Sequence, residues 1–315
     1  MASDSPIPFK VAMTSPANTF LAIWMAEAEG LYEAEGLDVE IVEMVGGSET
    51  GPALTEGRVQ LMHIGLSSVL RANNRGADVR AIGSLSNVVR SALFTAPGIE
   101  SAGDLRGGTI GISSEGSESD ATTTLALKRI GLARGDVTFE EIGVQRLEAV
   151  REGAVSATML GEPYRSAALA EGLTPIVDLL SERIPWLYSG LAMDRACLEA
   201  NQDAAARFFR ATVEANHRAM AEASRAKEVL AQALAVTDPV VLETAYANFR
   251  ESSPADAEPS HQGARNVIDN VAAPGASREL ADYVDDRIYD RLAGEGFFAR
   301  MAARYGTPSS KVPQE

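Results

Sequence analysis

A two-lobed α/β fold with a ligand cleft between the lobes is predicted by three observations. Apolar runs alternate between strand and helix periods, a segment of the first half recurs in the second, and the loops expected to open onto a cleft are rich in hydroxyls. Residues 9–13 read as a short strand, 21–29 as a helix that Gly30-Leu31 closes, and 39–44 as a second strand, which together form a βαβ unit. A helix through Ala53 and Leu54 ends near Gly57, a compact apolar strand follows at 61–64 against Gly65, and 77–85 is a further strand. Residues 90–95 lead into Pro97-Gly98, a turn signal where the chain is expected to cross between lobes.

The internal repeat is the strongest of the three signals. Ala53-Leu54-Thr55-Glu56-Gly57-Arg58-Val59 returns as Ala149-Val150-Arg151-Glu152-Gly153-Ala154-Val155, and at the same offset Gly65 meets Gly161 and Gly76 meets Gly172. Upstream, Asp38-Val39 answers to Asp136-Val137 and Gly30-Leu31 to Gly131-Leu132. Chance similarity in alanine- and glycine-rich sequence is the alternative; two lobes on one plan is the expectation. Residues 194–235 are alanine-rich with apolar spacing at Phe208, Phe209, Val213 and Met220, which reads as long amphipathic helices used for packing. Thr237-Asp238-Pro239 opens another helix, 252–262 reads as a polar loop and 307–315 as a loose tail.

Open parallel sheets bind ligands outside the carboxyl ends of their strands, where loops enter helix N-termini. Three such loops can be read directly: Thr14-Ser15-Pro16-Ala17-Asn18-Thr19-Phe20, Gly65-Leu66-Ser67-Ser68, and the run from Ser113 through Ser114, Glu115, Gly116, Ser117, Glu118 and Ser119 to Asp120. Each hydroxyl singly is also a good N-cap. Together they describe a polar, anion-tolerant site built from main-chain N–H groups and hydroxyls.

Charge and composition narrow the partners. The 315 residues, 45% hydrophobic and 23% charged, suffice for two modest domains. A formal net charge of −16 argues against nucleic acid, which needs clustered Lys and Arg to displace counterions. The lone Cys197 makes no intramolecular disulfide and reads as a small apolar side chain. Apolar runs fall short of the roughly 20 residues that span a bilayer, and the N-terminus lacks a basic segment followed by an apolar core. Met1-Ala2-Ser3 fits a native start or a chain whose export signal has been removed.

Several stretches carry a family likeness. Ala26-Glu27-Ala28-Glu29-Gly30-Leu31-Tyr32 is followed by Glu35-Gly36-Leu37-Asp38-Val39-Glu40, and later come Ala53-Leu54-Thr55-Glu56-Gly57, the run Ala102-Gly103-Asp104-Leu105-Arg106-Gly107-Gly108-Thr109-Ile110-Gly111, and Gly161-Glu162-Pro163-Tyr164. On these the chain resembles the substrate-binding proteins of ABC importers, in the branch associated with nitrate, sulfonates, taurine and thiamine-precursor pyrimidines. The resemblance implies a type II periplasmic-binding-protein fold, with lobe one from residues 1–91 and 188–315, lobe two from 92–187, and ligand trapped by hinge closure. It further implies a monomer in the periplasm or on the cell surface, an ABC transporter permease as partner, a small polar or anionic organic ligand, and neither cofactor nor metal.

Carried over position by position, the cleft residues are Ser15, Asn18, Thr19 and Phe20 of the first loop, Ser67 and Ser68, Asn87 and Arg90, Gly116, Ser117 and Glu118, Glu162 with Tyr164, and the stretch from Trp186 through Tyr188 to Ser189. Glu118 and Glu162 would oppose a strongly anionic ligand unless they point away, and Arg90 is the cation placed closest. Trp186 and Tyr188 suit stacking on a ring or a role in the core. An enzyme on the same fold, such as an aromatic-acid decarboxylase, is the alternative, because fold does not dictate function. Gly65-Leu66-Ser67-Ser68-Val69 is similar to a nucleophile elbow but has Val69 where the second glycine belongs. His63, His217 and His261 are scattered, and His63 inside an apolar strand reads as a core histidine. Similarity to a pyrimidine synthase of this fold fails on that enzyme's cysteine-rich motif, and HExxH, P-loop and paired-histidine patterns are missing from the sequence.

Overall fold

The computed structural model describes residues 5–14, 16–44 and 50–306. Ten strands are formed in chain order: β1 Ile7–Met13, β2 Leu37–Glu43, β3 Leu61–Ile64, β4 Val79–Val88, β5 Ala92–Thr95, β6 Thr109–Ile112, β7 Thr138–Glu141, β8 Ala157–Leu160, β9 Pro175–Asp178 and β10 Pro185–Asp194. They make two five-stranded sheets with the orders β2-β1-β3-β10-β4 and β7-β6-β8-β5-β9. β1 pairs parallel with β2 and β3, as β6 does with β7 and β8. The fourth strand in each order runs antiparallel to both neighbours, and it is exchanged: β10 returns to the first sheet, and β5 enters the second.

The sequence repeat therefore reflects two units on one plan. Gly57 and Gly153 end equivalent helices at φ 67° and 71°, a left-handed conformation that glycine adopts without steric cost. The crossings are short, from β4 through Val89, Arg90 and Ser91 into β5, and from β9 through the helix Leu179–Glu182 into β10. The expected lobe junction at 187 falls inside β10, which pairs with β4 from Pro185↔Val88 onward.

Alternation along the strands assigns the two faces of the first sheet. Phe9, Val11 and Met13 of β1 pack with the helices Leu21–Ala28 and Gln202–Ala221, whereas Ala12, Met62 and Ile64 join a buried cluster that runs through Val89 and Leu93 to Ile110 and Met159 of the second sheet. Phe208, fully buried, stacks on Phe9 at 5.2 Å and on Tyr32 at 5.0 Å between ring centroids. Phe208→Ala is expected to cost about 3–5 kcal/mol of stability, read as a lower urea midpoint at unchanged slope.

Some expectations shift. The strand read at 77–85 is Val79–Val88, buried along its whole length. Gly30 does not simply close a helix: at φ 65° it turns the chain into a second short helix, Leu31–Ala34. The polar loop at 252–262 is packed, with Ser252, Ser253 and Ala257 buried and the Ala257 carbonyl accepting from Ser84 N. The tail at 307–315 and Ser15 lie outside the described residues. Among the described residues no helix is long and apolar enough to cross a membrane.

Candidate functional site

The carboxyl ends of the strands of both sheets open onto one cleft. β1 delivers Thr14, β3 leads to Gly65 and Ser68, β6 leads to Ser113 and Ser114, β7 to Gly143 and Val144, and β8 to Gly161 and Glu162. Arg90 comes from one crossing, and Tyr188 and Ser189 come from β10. The atom-free space is about 1080 Å³ with the open solvent at the mouth included.

Two guanidiniums reach the wall, Arg90 from the crossing with its side chain anchored on Asn248 of the first unit, and Arg146 from the second unit. Arg90 is 2% exposed; its Nη2 donates to Asn248 Oδ1, and its Nη1 is buried without a partner. Burial lowers its pKa to about 10, so it remains charged at neutral pH. Asn248 also accepts from Asn18 Nδ2 at 3.2 Å, so one residue of the helix Pro239–Ser252 holds two residues of the cleft. Arg146, at the start of the helix Arg146–Arg151, donates Nη1 to the Met159 carbonyl at 3.2 Å and leaves a buried Nε without a partner.

The carboxylates of the cleft are already engaged. Glu162 Oε2 accepts from Ser166 N at 3.2 Å, and Oε1 faces Arg165 Nη1 at 3.4 Å. Glu118, the first residue of the helix Glu118–Arg129, reaches across to the other unit. Its Oε1 accepts from Ser67 N at 2.7 Å and its Oε2 from Trp186 Nε1 at 2.8 Å. Burial outweighs these donors and raises the Glu118 pKa to about 7. Arg71 makes a second bridge between the units, from Nη1 to Ser114 Oγ at 3.1 Å. Ser113, Ser117 and Ser119 share a triangle of hydroxyl contacts at 2.9 Å on the same wall.

His63 forms part of the floor, edge-on to Phe20 with 5.0 Å between ring centroids. Burial pushes its pKa down to about 4, partly offset by a hydrogen bond to the main chain of Thr19. A neutral imidazole has one N–H; with that spent on Thr19, Nε2 is left to accept from the Ser189 hydroxyl. The expected result is an NMR titration of His63 with its midpoint near 4, well below an exposed histidine at about 6.5.

Of the residues named from sequence, Asn18, Thr19, Ser68, Arg90, Ser117, Glu118, Glu162, Tyr164 and Tyr188 are brought together on the cleft wall. Five are not. Phe20 is fully buried between Trp24 and His63, and Ser67 is fully buried, with its main-chain N–H given to Glu118. Asn87 is spent on the Glu258 carbonyl and Ser260 N. Gly116 sits at φ 71° against Arg71, where a Cβ would come within 2.6 Å of Cδ. Trp186 is 1% exposed and touches the site only through Glu118, so it has no face to offer a ring. Sequence reasoning missed His63, Arg146 and Asn248, whereas Ser189, at the end of the stretch expected to face the cleft, does line it. Arg146 precedes the repeated segment that begins at Ala149, a position that could have singled it out.

Comparisons with known proteins agree with this architecture. The sequence model of a family described as NMT1/THI5 like matches residues 17–226. The chain is 29% identical over 208 residues to the riboflavin-binding protein RibY of Chloroflexus aurantiacus, covering 63% of this chain and 58% of that protein. It is 28% identical over 137 residues to the 4-amino-5-hydroxymethyl-2-methylpyrimidine phosphate synthase of Schizosaccharomyces pombe, covering 43% and 39%. The chain thus spans less than two thirds of the length of either relative. The ligand-binding component of an ABC-type import system from Staphylococcus aureus shares the fold at TM-score 0.73 and 14% identity, over 90% of this chain and 98% of that one. The aliphatic sulphonate binding protein SsuA of Escherichia coli does so at 0.68 and 20%, over 91% and 100%.

Proposed function

The chain belongs to the NMT1/THI5-like family, and from that premise we propose that it is a solute-binding protein, capturing a small polar or anionic organic molecule between its lobes for an ABC importer. The observation that carries this reading is the cleft itself: strand ends of both sheets wall it, and its two guanidiniums keep buried donors without a partner. The importer components among the structural neighbours and the riboflavin-binding relative support it. The two crossings would act as the hinge, dividing the chain close to residues 91 and 187, and a permease would meet the closed lobes from outside the membrane, at a periplasmic or cell-surface position.

An enzyme on this fold is the second reading, favoured by the Ser189–His63 contact in the cleft and by the synthase relative. A general base works best with a pKa near the operating pH, and His63 is held near 4. The pair therefore fixes the floor of the cleft rather than moving protons.

A thermal-shift screen over sulfonates, nitrate, bicarbonate, aromatic carboxylates, pyrimidines and riboflavin tests the proposal. A true ligand at a hundred times its Kd adds about 2.7 kcal/mol to stability, and it is expected to be recovered unchanged. Consumption of the stabilising compound contradicts the reading.

A further inference from the structure

We infer that the bound solute carries a planar carboxylate, gripped jointly by Arg90 from one lobe and Arg146 from the other, so that the ligand's own charge spans the cleft; this rests on the solute-binding reading. Both guanidiniums line the cleft. Each has one hydrogen bond in the structure, to a neutral acceptor, Asn248 Oδ1 for Arg90 and the Met159 carbonyl for Arg146. Neither forms an ion pair among the described residues, in a chain whose formal net charge is −16. Acidic partners were available, yet the two acids on the same wall are directed elsewhere: Glu162 faces Arg165 and Ser166 N, and Glu118 faces Ser67 N and Trp186.

Glu162 lies within electrostatic reach of Arg90 but gives it no hydrogen bond, and a buried guanidinium with open donors is costly unless an anion completes it. Tyr188, within electrostatic reach of both arginines, lines the same cleft as they do. The vacant donors also select among anions. Arg90 Nη1 and Arg146 Nε are two nitrogens, one from each lobe, and they match the two oxygens of a carboxylate. A sulfonate brings a third oxygen, and among the described residues the other buried guanidinium nitrogen without a partner, Arg165 Nε, is not on the cleft wall.

The test is calorimetric titration of the whole chain with three probes of one shape: benzoate, benzenesulfonate and benzamide. Benzoate is expected to bind, benzenesulfonate at least tenfold more weakly, and neutral benzamide not measurably. Arg90→Gln and Arg146→Gln should each weaken benzoate at least tenfold. Arg146→Lys, which keeps the charge and loses Nε, should do the same, while Arg129→Gln, at a surface pair with Glu182, changes nothing. If Arg90→Gln does not fold, the two Arg146 variants decide. Equal binding of benzoate and benzamide, tighter binding of benzenesulfonate, or unchanged affinity in the Arg146 variants overturns the inference. Binding of a neutral solute such as riboflavin without benzoate leaves the solute-binding reading standing and removes the carboxylate; binding of nothing removes both.

Discussion

Gly65→Ala is expected to break the contact that ties the two units together. A Cβ at position 65 would lie 2.2 Å from Glu118 Oε1 and 2.4 Å from both Cδ and Cγ, so the whole head of Glu118 would have to leave. Two hydrogen bonds to a charged acceptor go with it, from Ser67 N and Trp186 Nε1. Each such bond is worth about 1.5–3 kcal/mol, and the Arg71–Ser114 bridge remains to hold part of the contact. Small-angle scattering should show a larger radius of gyration for the variant, and affinity for any ligand that bridges the lobes should fall at least tenfold. Glu118→Ala alone should give a similar loss. The double variant should be no worse than either single one, because both remove the same interaction. Full additivity would show that the glycine matters for another reason.

Closure should also depend on pH through Glu118, with a sign opposite to that of an ordinary salt bridge. In the closed arrangement the carboxyl has a pKa of about 7; exposed to solvent it has the ordinary value near 4.5. Between these values the closed form holds a proton that the open form has released. Closure is therefore favoured at the acid end, loses ground as pH rises from 4.5, and levels off above about 7. The swing is roughly three hundredfold in the closing equilibrium. Donors from Ser67 and Trp186 and the Tyr188 phenol face the carboxyl, and the phenol stays neutral over this range because burial raises its pKa. Fluorescence energy transfer between labels on the two lobes, titrated from pH 4.5 to 8, reads this directly. Glu118→Gln should flatten the curve, and a closed fraction that rises with pH would contradict the assignment.

The two-lobed plan was legible because strand pattern and internal repeat point the same way, whereas the strand order within each sheet was not. Gly57 with Gly153 and Gly65 with Gly161 mark the same turns of the two units, and a left-handed or crowded position leaves little choice but glycine. Exchange of β5 and β10 was only partly legible, since antiparallel pairing to a distant strand leaves no local periodicity. Within the cleft, hydroxyls in strand-end loops were found because loop position alone predicts them. For Trp186 the sequence left both stacking and a core role open, because residues 186 and 188 look alike there; the strand turns Trp186 into the core and leaves Tyr188 on the cleft wall. Arg146 and Asn248 were missed because their importance lies in what they do not pair with, or in what they hold, and both depend on contacts distant in the chain.

The central claim is that the cleft holds a solute and gives it back unaltered. Native mass spectrometry of the whole chain, incubated with the solute that most raises its melting temperature, tests this most directly. A solute-binding protein gives a one-to-one complex whose ligand, released by denaturation after hours at neutral pH, has its original mass. A released species of different mass, or steady loss of the free solute at substoichiometric protein, would contradict it and assign the cleft to catalysis.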